Sequence, residues 1–192
     1  MEKLKGKDIG EFYRHSPMAV AVITAHAEGR DGGMSAAWVS PVSFDPPLFG
    51  VSIASKRHTF SMVVEAGEFA VNFFTLDRAE IFAQFGGCSG RDTDKFEKFE
   101  VKTHKGDIIS APIIESAYAA YECKLYGQKT FGDHDWFVGE IVCLHRKEGM
   151  LTREGGLDLK ALAPCLYLGQ ELYASVREDG VRLLDRKKFA RA

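Results

Sequence analysis

Met34–Thr59, MSAAWVSPVSFDPPLFGVSIASKRHT, is the stretch whose reading decides the fold. Pro46 and Pro47 cannot donate to a ladder, so they belong at a strand end. Met34 to Ser43 and the apolar run Leu48 to Ile53 are then two strands joined by a corner. Thr59 reads as the N-cap of a helix through Phe60, Val63 and Val64, with Gly67 as its stop. Small residues flank Trp38, and such residues let a planar ligand approach the backbone. The basic loop Lys56, Arg57, His58 at a helix start suits an anion. Together these features point to a phosphorylated aromatic ligand.

Working outward, Ala19 to Ala25 (AVAVITA) is a continuous apolar run with β-branched residues, the pattern of a strand buried on both faces, and Glu28 to Gly33 is a turn. Glu68 to Phe74 (EFAVNFF) reads as a strand, and Asp77 to Gly86 as a helix whose Asp77 and Glu80 have capping-box spacing. Gly90 to Phe96 (GRDTDKF) is a charged loop. The longest sheet signal is Ala117 to Lys129 and Trp136 to Arg146 around the loop Phe131 to Asp135 (FGDHD). There Tyr121, Cys123 and Leu125 alternate with Glu122 and Lys124, which predicts a half-buried antiparallel hairpin with Glu122 and Lys124 on the polar face. Gly149 to Lys160 is turn-rich, and Pro164 to Gly169 is a short strand. Met1 to Pro17 forms an arm and Val176 to Ala192 a charged tail.

Many short strands with two short helices predict one mainly-β domain over residues 1–192. Its expected form is an antiparallel, closed or nearly closed barrel with helical insertions. No G-x-G-x-x-G lies between a strand and a helix, so a Rossmann unit is not expected. A net charge of -2 with interspersed signs predicts no nucleic-acid or anionic-membrane partner. The N-terminal MEKLKGKDIG lacks a signal-peptide apolar region, and no run is long enough to span a membrane, so a cytoplasmic address is expected. Cys88, Cys123, Cys143 and Cys165 form no C-x-x-C pair, and His15, His26, His104 and His145 are scattered, so no metal site is expected.

The ordered motifs resemble the flavin reductase-like family of FMN-binding split-barrel proteins, which includes flavoredoxin and archaeal ferric reductase. The resemblance is carried by the Met34 to Trp38 turn, SFDPP at Ser43 to Pro47, SIASKRHT at Ser52 to Thr59 and EFAVN at Glu68 to Asn72. It continues through GRDTDKF at Gly90 to Phe96 and GDHDWFVGEI at Gly132 to Ile141, covering roughly residues 17 to 170. It implies a Greek-key-like split barrel that dimerises, with one FMN per subunit close to the shared surface. By the resemblance, Ala36, Ala37, Trp38, Val39 and Ser40 border the isoalloxazine and Ser52, Ile53 and Ala54 contact its polar edge. Arg57, His58 and Thr59 receive the phosphate, which Lys95 also approaches.

The chemistry of the residues agrees with that assignment, since Arg grips phosphate with a planar fork and a helix N-terminus adds fixed positive charge. Plainer readings stand beside it. Lys56, Arg57 and Lys95 also read as solvated surface charges, Trp38 as core or dimer interface, His58 as a helix-start residue, and Asn72 as closing a strand hydrogen bond. His134 lies between Asp133 and Asp135, which favour its protonated form where they are close. The resemblance places its loop where a nicotinamide docks, making His134 the catalytic candidate; the alternative is an exposed loop histidine. The expected activity is an FMN oxidoreductase taking electrons from NADH or NADPH to a flavin, a ferric complex or a protein acceptor. An FMN electron carrier and a flavin-free interaction protein are the alternatives.

Overall fold

The structure is a computed structural model describing residues 3, 5–182 and 184. Residues 183 and 185–192 of the expected tail and residues 1, 2 and 4 of the arm lie outside the described residues. A 3-10 helix, Gly6–His15, precedes β1 (Met18–Ala19), β2 (Ala21–Ala27), β3 (Arg30–Ala36), β4 (Val39–Phe44) and β5 (Pro47–Ala54). Helix α1 (His58–Ala66), β6 (Glu68–Phe73), α2 (Glu80–Gly87) and α3 (Lys95–Lys98) follow. The remaining strands are β7 (Thr103–Lys105), β8 (Pro112–Ile114), β9 (Ala119–Phe131), β10 (His134–Arg146), β11 (Cys165–Gly169) and β12 (Leu172–Ser175).

Seven strands make one antiparallel sheet in the order β3-β2-β6-β9-β10-β5-β4. Within it β6, β9, β10 and β5 lie side by side in Greek-key order, as expected. The sheet wraps a core of Ile23, Val51, Ile53, Phe69, Val71, Cys123 and Phe137, closed by Met62 and Val63 of α1. A second cluster, on the other face of β2, packs Val20 and Val22 against Phe74, Phe82 and Phe85. The run Ala19 to Ala25, apolar apart from the buried Thr24, is explained by these two cores, one on each face.

Several local readings need correction. The turn before β3 is Glu28 and Gly29 alone, because Arg30 to Gly33 already pair with β2. Met34 to Ser43 is not one strand: the ladder breaks at Ala37 and Trp38, where the chain leaves β2 and joins β5. Thr59 is not the cap of α1 but its second residue, and it is buried; Arg57 is the cap, without a side-chain hydrogen bond. Asp77 and Glu80 form no capping box, since a 3-10 turn at Leu76–Arg78 comes before α2. Gly67 does end α1 in the left-handed region, with its N–H on the Val63 carbonyl.

The hairpin β9–β10 forms as expected, but Glu122 is not on a solvated face. It has 0% exposure, covered by the segment of β7, β8 and the loop between them. Asn72 also meets expectation as a structural residue: its amide donates to the Val22 carbonyl and Thr24 Oγ1 and accepts from Ile114 N–H.

Candidate functional site

A cavity of about 380 Å³ opens at the start of α1. Met34 and Ser35 of β3, the 56–59 turn, the end of α2 and the 89–91 loop form its walls, and Lys95 lies at its side. Lys56, Arg57, Arg91 and Lys95 line it, with no carboxylate among the lining residues. Lys95 is only 5% exposed, so the surface-charge reading fails for it. Asp94 caps α3 by accepting from the N–H groups of Phe96 and Glu97, and this turn directs Lys95 inward. Its Nζ donates to the carbonyls of Phe85 (2.6 Å) and Gly33 (3.0 Å), leaving one of three N–H groups for an anion.

Burial lowers the pKa of Lys95 from its usual value; Cys88 opposes that shift and the Arg57 charge adds to it. Burial also lowers that of His58, helped by the charges of Arg91, Arg30 and Lys95. Both directions are relieved when an anion enters. Arg91, in the same GRDTDKF motif as Lys95, joins the site although nothing in its sequence position singles it out. Its guanidinium donates to the Lys56 carbonyl at 3.0 Å, which ties the 89–91 loop to the basic turn.

A second, more apolar hollow of about 650 Å³ is lined by Phe12, Trp38, Ser52, Phe131, Asp133, His134 and Trp136. The Trp38 and His134 rings are 4.9 Å apart at 41°, and Phe12 lies 6.1 Å from Trp38. His134 is the first residue of β10 rather than a loop residue, since the turn is only Gly132 and Asp133. Its Nδ1 is 2.8 Å from the Asp133 carboxylate, whose pKa this hydrogen bond lowers. Asp135 points elsewhere and accepts from Gln128 at 2.6 Å, so one flanking acid, not two, meets the imidazole.

The structure therefore gathers Arg57, His58, Thr59 and Lys95 in one cavity, and Trp38, Ser52 and His134 in another. Ala36, Ala37, Val39, Ser40, Ile53 and Ala54 line neither. Ala36, Ile53 and Ala54 are buried, with Ile53 turned into the core, so any ligand contact there falls to the backbone. The two cavities are lined by neighbouring stretches of the chain: 34–35 and 56–59 line the first, 38 and 52 the second.

Residues 13–174 match the family model described as a flavin reductase like domain. The chain belongs to the flavin reductase-like family. The FMN-binding protein of Thermus thermophilus, solved with bound 1-cyclohex-2-enone, superposes with a TM-score of 0.85 at 34% identity. That match covers 95% of this chain and 100% of the other. An uncharacterized protein of Aeropyrum pernix is 35% identical over 80% of this chain; the matched region spans only 58% of that relative. The FMN reductase (NADH) RutF of Pseudomonas syringae pv. syringae is 28% identical over 68% of this chain and 71% of its own.

The seven-stranded barrel of this flavin reductase-like chain thus agrees with the fold expected from its motifs. No described helix is long and apolar enough to cross a membrane. A further cleft of about 460 Å³ between α2 and residues 99–102 holds none of the expected site residues. Although the histidines are scattered in the sequence, folding brings His145 together with Cys143, Glu122 and Asp107. This cluster lies at the far end of β10 from His134.

Proposed function

We propose that this chain binds FMN, with its phosphate in the cavity of Arg57, Arg91 and Lys95 and its ring system toward Trp38 and His134. The observation that carries the reading is the cavity's makeup, four cationic side chains and no carboxylate, with one of them buried. The segments 34–38 and 52–58 run from that cavity to the apolar hollow, so a ligand with an anionic tail and a flat head fits their sequence of environments. When bound, FMN would supply hydride acceptance from NADH or NADPH and electron delivery to a flavin, a ferric complex or a protein acceptor. The protein's own share is to hold the phosphate, exclude water with Trp38 and Phe12, and present the Asp133-oriented His134 beside the flat head. That last feature favours a nicotinamide-using enzyme over a passive electron carrier.

FMN is expected to bind about tenfold to a hundredfold more tightly than riboflavin, since losing a charge-assisted phosphate contact costs about 1.5 to 3 kcal/mol. Titrating both flavins into flavin-free protein, followed by flavin fluorescence, measures the ratio. Equal affinities would remove the phosphate assignment. Anaerobic addition of NADH and of NADPH to the FMN-loaded protein should bleach the visible flavin band; no bleaching with either would favour the carrier reading.

A homodimer is part of the same proposal. Strand β4 is a sheet edge, and on it Phe44 is 99% exposed and Val42 about half exposed, an arrangement that invites a two-fold partner near Trp38. Sedimentation equilibrium at micromolar concentration is expected to return twice the chain mass. Phe44→Asp should shift the protein toward monomer, and a wild type that is monomeric while holding FMN would refute the arrangement.

A further inference from the structure

We propose that Asp107, Glu122, Cys143 and His145 form a structural zinc site that clips the 103–114 segment onto β9 and β10. Cys143 and His145 are two residues apart on β10 and so project from the same face. Cys143 pairs directly with Glu122 of β9, next to a register shift between Ile141 and Cys143. Asp107 arrives from the loop between β7 and β8, which is pinned on the Glu122 carboxylate. Oε1 accepts from Asp107 N–H at 2.8 Å, and Oε2 accepts from the N–H groups of Ile108 and Ile109 at 2.8 and 2.9 Å. A Cβ on Gly106 would lie 2.9 Å from Glu122 Oε2 and 2.8 Å from the Ile109 carbonyl, so this approach needs glycine there.

One donor atom from each of the four side chains lies within 4.8 Å of every other. Bonds of about 2.3 Å to sulfur and about 2.05 Å to nitrogen give a tetrahedral S-to-N edge of roughly 3.5 Å. The observed separation of Cys143 Sγ and His145 Nε2 is 3.7 Å. His145 Nε2 and Glu122 Oε1 are 2.5 Å apart, a hydrogen bond that must open by somewhat under ~1 Å for both atoms to face one metal. One soft thiolate, one imidazole and two carboxylates are donors that zinc accepts together, whereas calcium and magnesium take oxygen donors. Four protein ligands leave no open position, which suits a structural metal. His145 is also eleven residues along β10 from His134, roughly 35 Å at strand spacing, so the site is independent of the flavin reading.

The test uses the full chain as purified, stripped with a chelator and then dialysed against zinc chloride, with metal counted by plasma mass spectrometry. One zinc per chain is expected in the wild type. Cys143→Ser and Asp107→Asn should each bind at least about tenfold more weakly, since even outer-shell changes around a metal cost about that much. Cobalt substitution supplies a second readout, a thiolate charge-transfer band in the difference spectrum that Cys143→Ser abolishes. Circular dichroism of the metal-free variants checks that both remain folded. Less than about one tenth of a zinc per wild-type chain, or unchanged zinc binding in Cys143→Ser, overturns the proposal.

Discussion

In metal-free protein, Glu122→Ala is expected to lower the unfolding free energy by about 3 to 5 kcal/mol, the usual result of removing one partner from a buried, hydrogen-bonded charge. The carboxylate has no exposure and accepts from three backbone N–H groups and from His145. Without it the N–H of Ile109 is left buried and unpaired, and the cover formed by β7, β8 and their loop loses its anchor on β9. Burial by itself raises the Glu122 pKa, but the hydrogen bond from His145 and those from Ile108, Asp107 and Ile109 outweigh it and hold the group at about 2. A carboxyl depressed in the folded state adds stability that is fully present above its unfolded value and fades as pH falls toward the folded one. The gap between wild type and Glu122→Ala should therefore narrow from about pH 5 down to about pH 2. Urea unfolding at a series of pH values measures it, and a gap that stays constant across that window would show that the charge is not what holds the loop.

The same residue shows where the sequence stops being legible. Alternation along Tyr121, Glu122 and Cys123 places Cys123 in the barrel and Glu122 on the other face, and both statements are true. What periodicity cannot convey is that residues 103–114 fold back over that face, because the contacts to Glu122 come from residues 107–109, outside the strand whose alternation is read. The run Ala19 to Ala25 is readable because burial on both faces leaves only Thr24 polar, and its hydroxyl is satisfied by the Pro112 carbonyl. The break at Trp38 is not readable, since small residues and Val39 propagate a strand pattern straight through the point where the chain changes partners. For the site, the basic turn at 56–58 and Lys95 were recognisable by type and order. Arg91 carries no such signal, although it fastens the loop to that turn through the Lys56 carbonyl. Gly132 and Asp133 signal a turn that makes His134 read as a loop residue, yet β10 begins at His134 itself.

The largest expected effect on turnover belongs to His134. Replacement by Ala should slow reduction of bound FMN by NADH or NADPH by about 10²-fold or more, the range for a positioned side chain that takes part in proton or hydride transfer. FMN affinity should change little. The two expectations separate because the side chains proposed to bind the phosphate come from the 56–59 turn, the 89–91 loop and α3, around a cavity that His134 does not line. In this proposal Asp133 is the positioning residue: its carboxylate lies 2.8 Å from Nδ1, so Nε2 is the nitrogen left to face the substrate, and the ring lies 4.9 Å from that of Trp38. Asp133→Asn keeps the shape and a hydrogen-bonding side chain but removes the charge, so it should produce a smaller loss of rate than His134→Ala. Stopped-flow bleaching of FMN-loaded wild type and both variants gives the rates, and flavin fluorescence titration gives the affinities. If all three proteins bleach at the same rate, His134 is a bystander at the edge of the hollow. If His134→Ala instead loses FMN, the imidazole supports the ring system rather than the transfer.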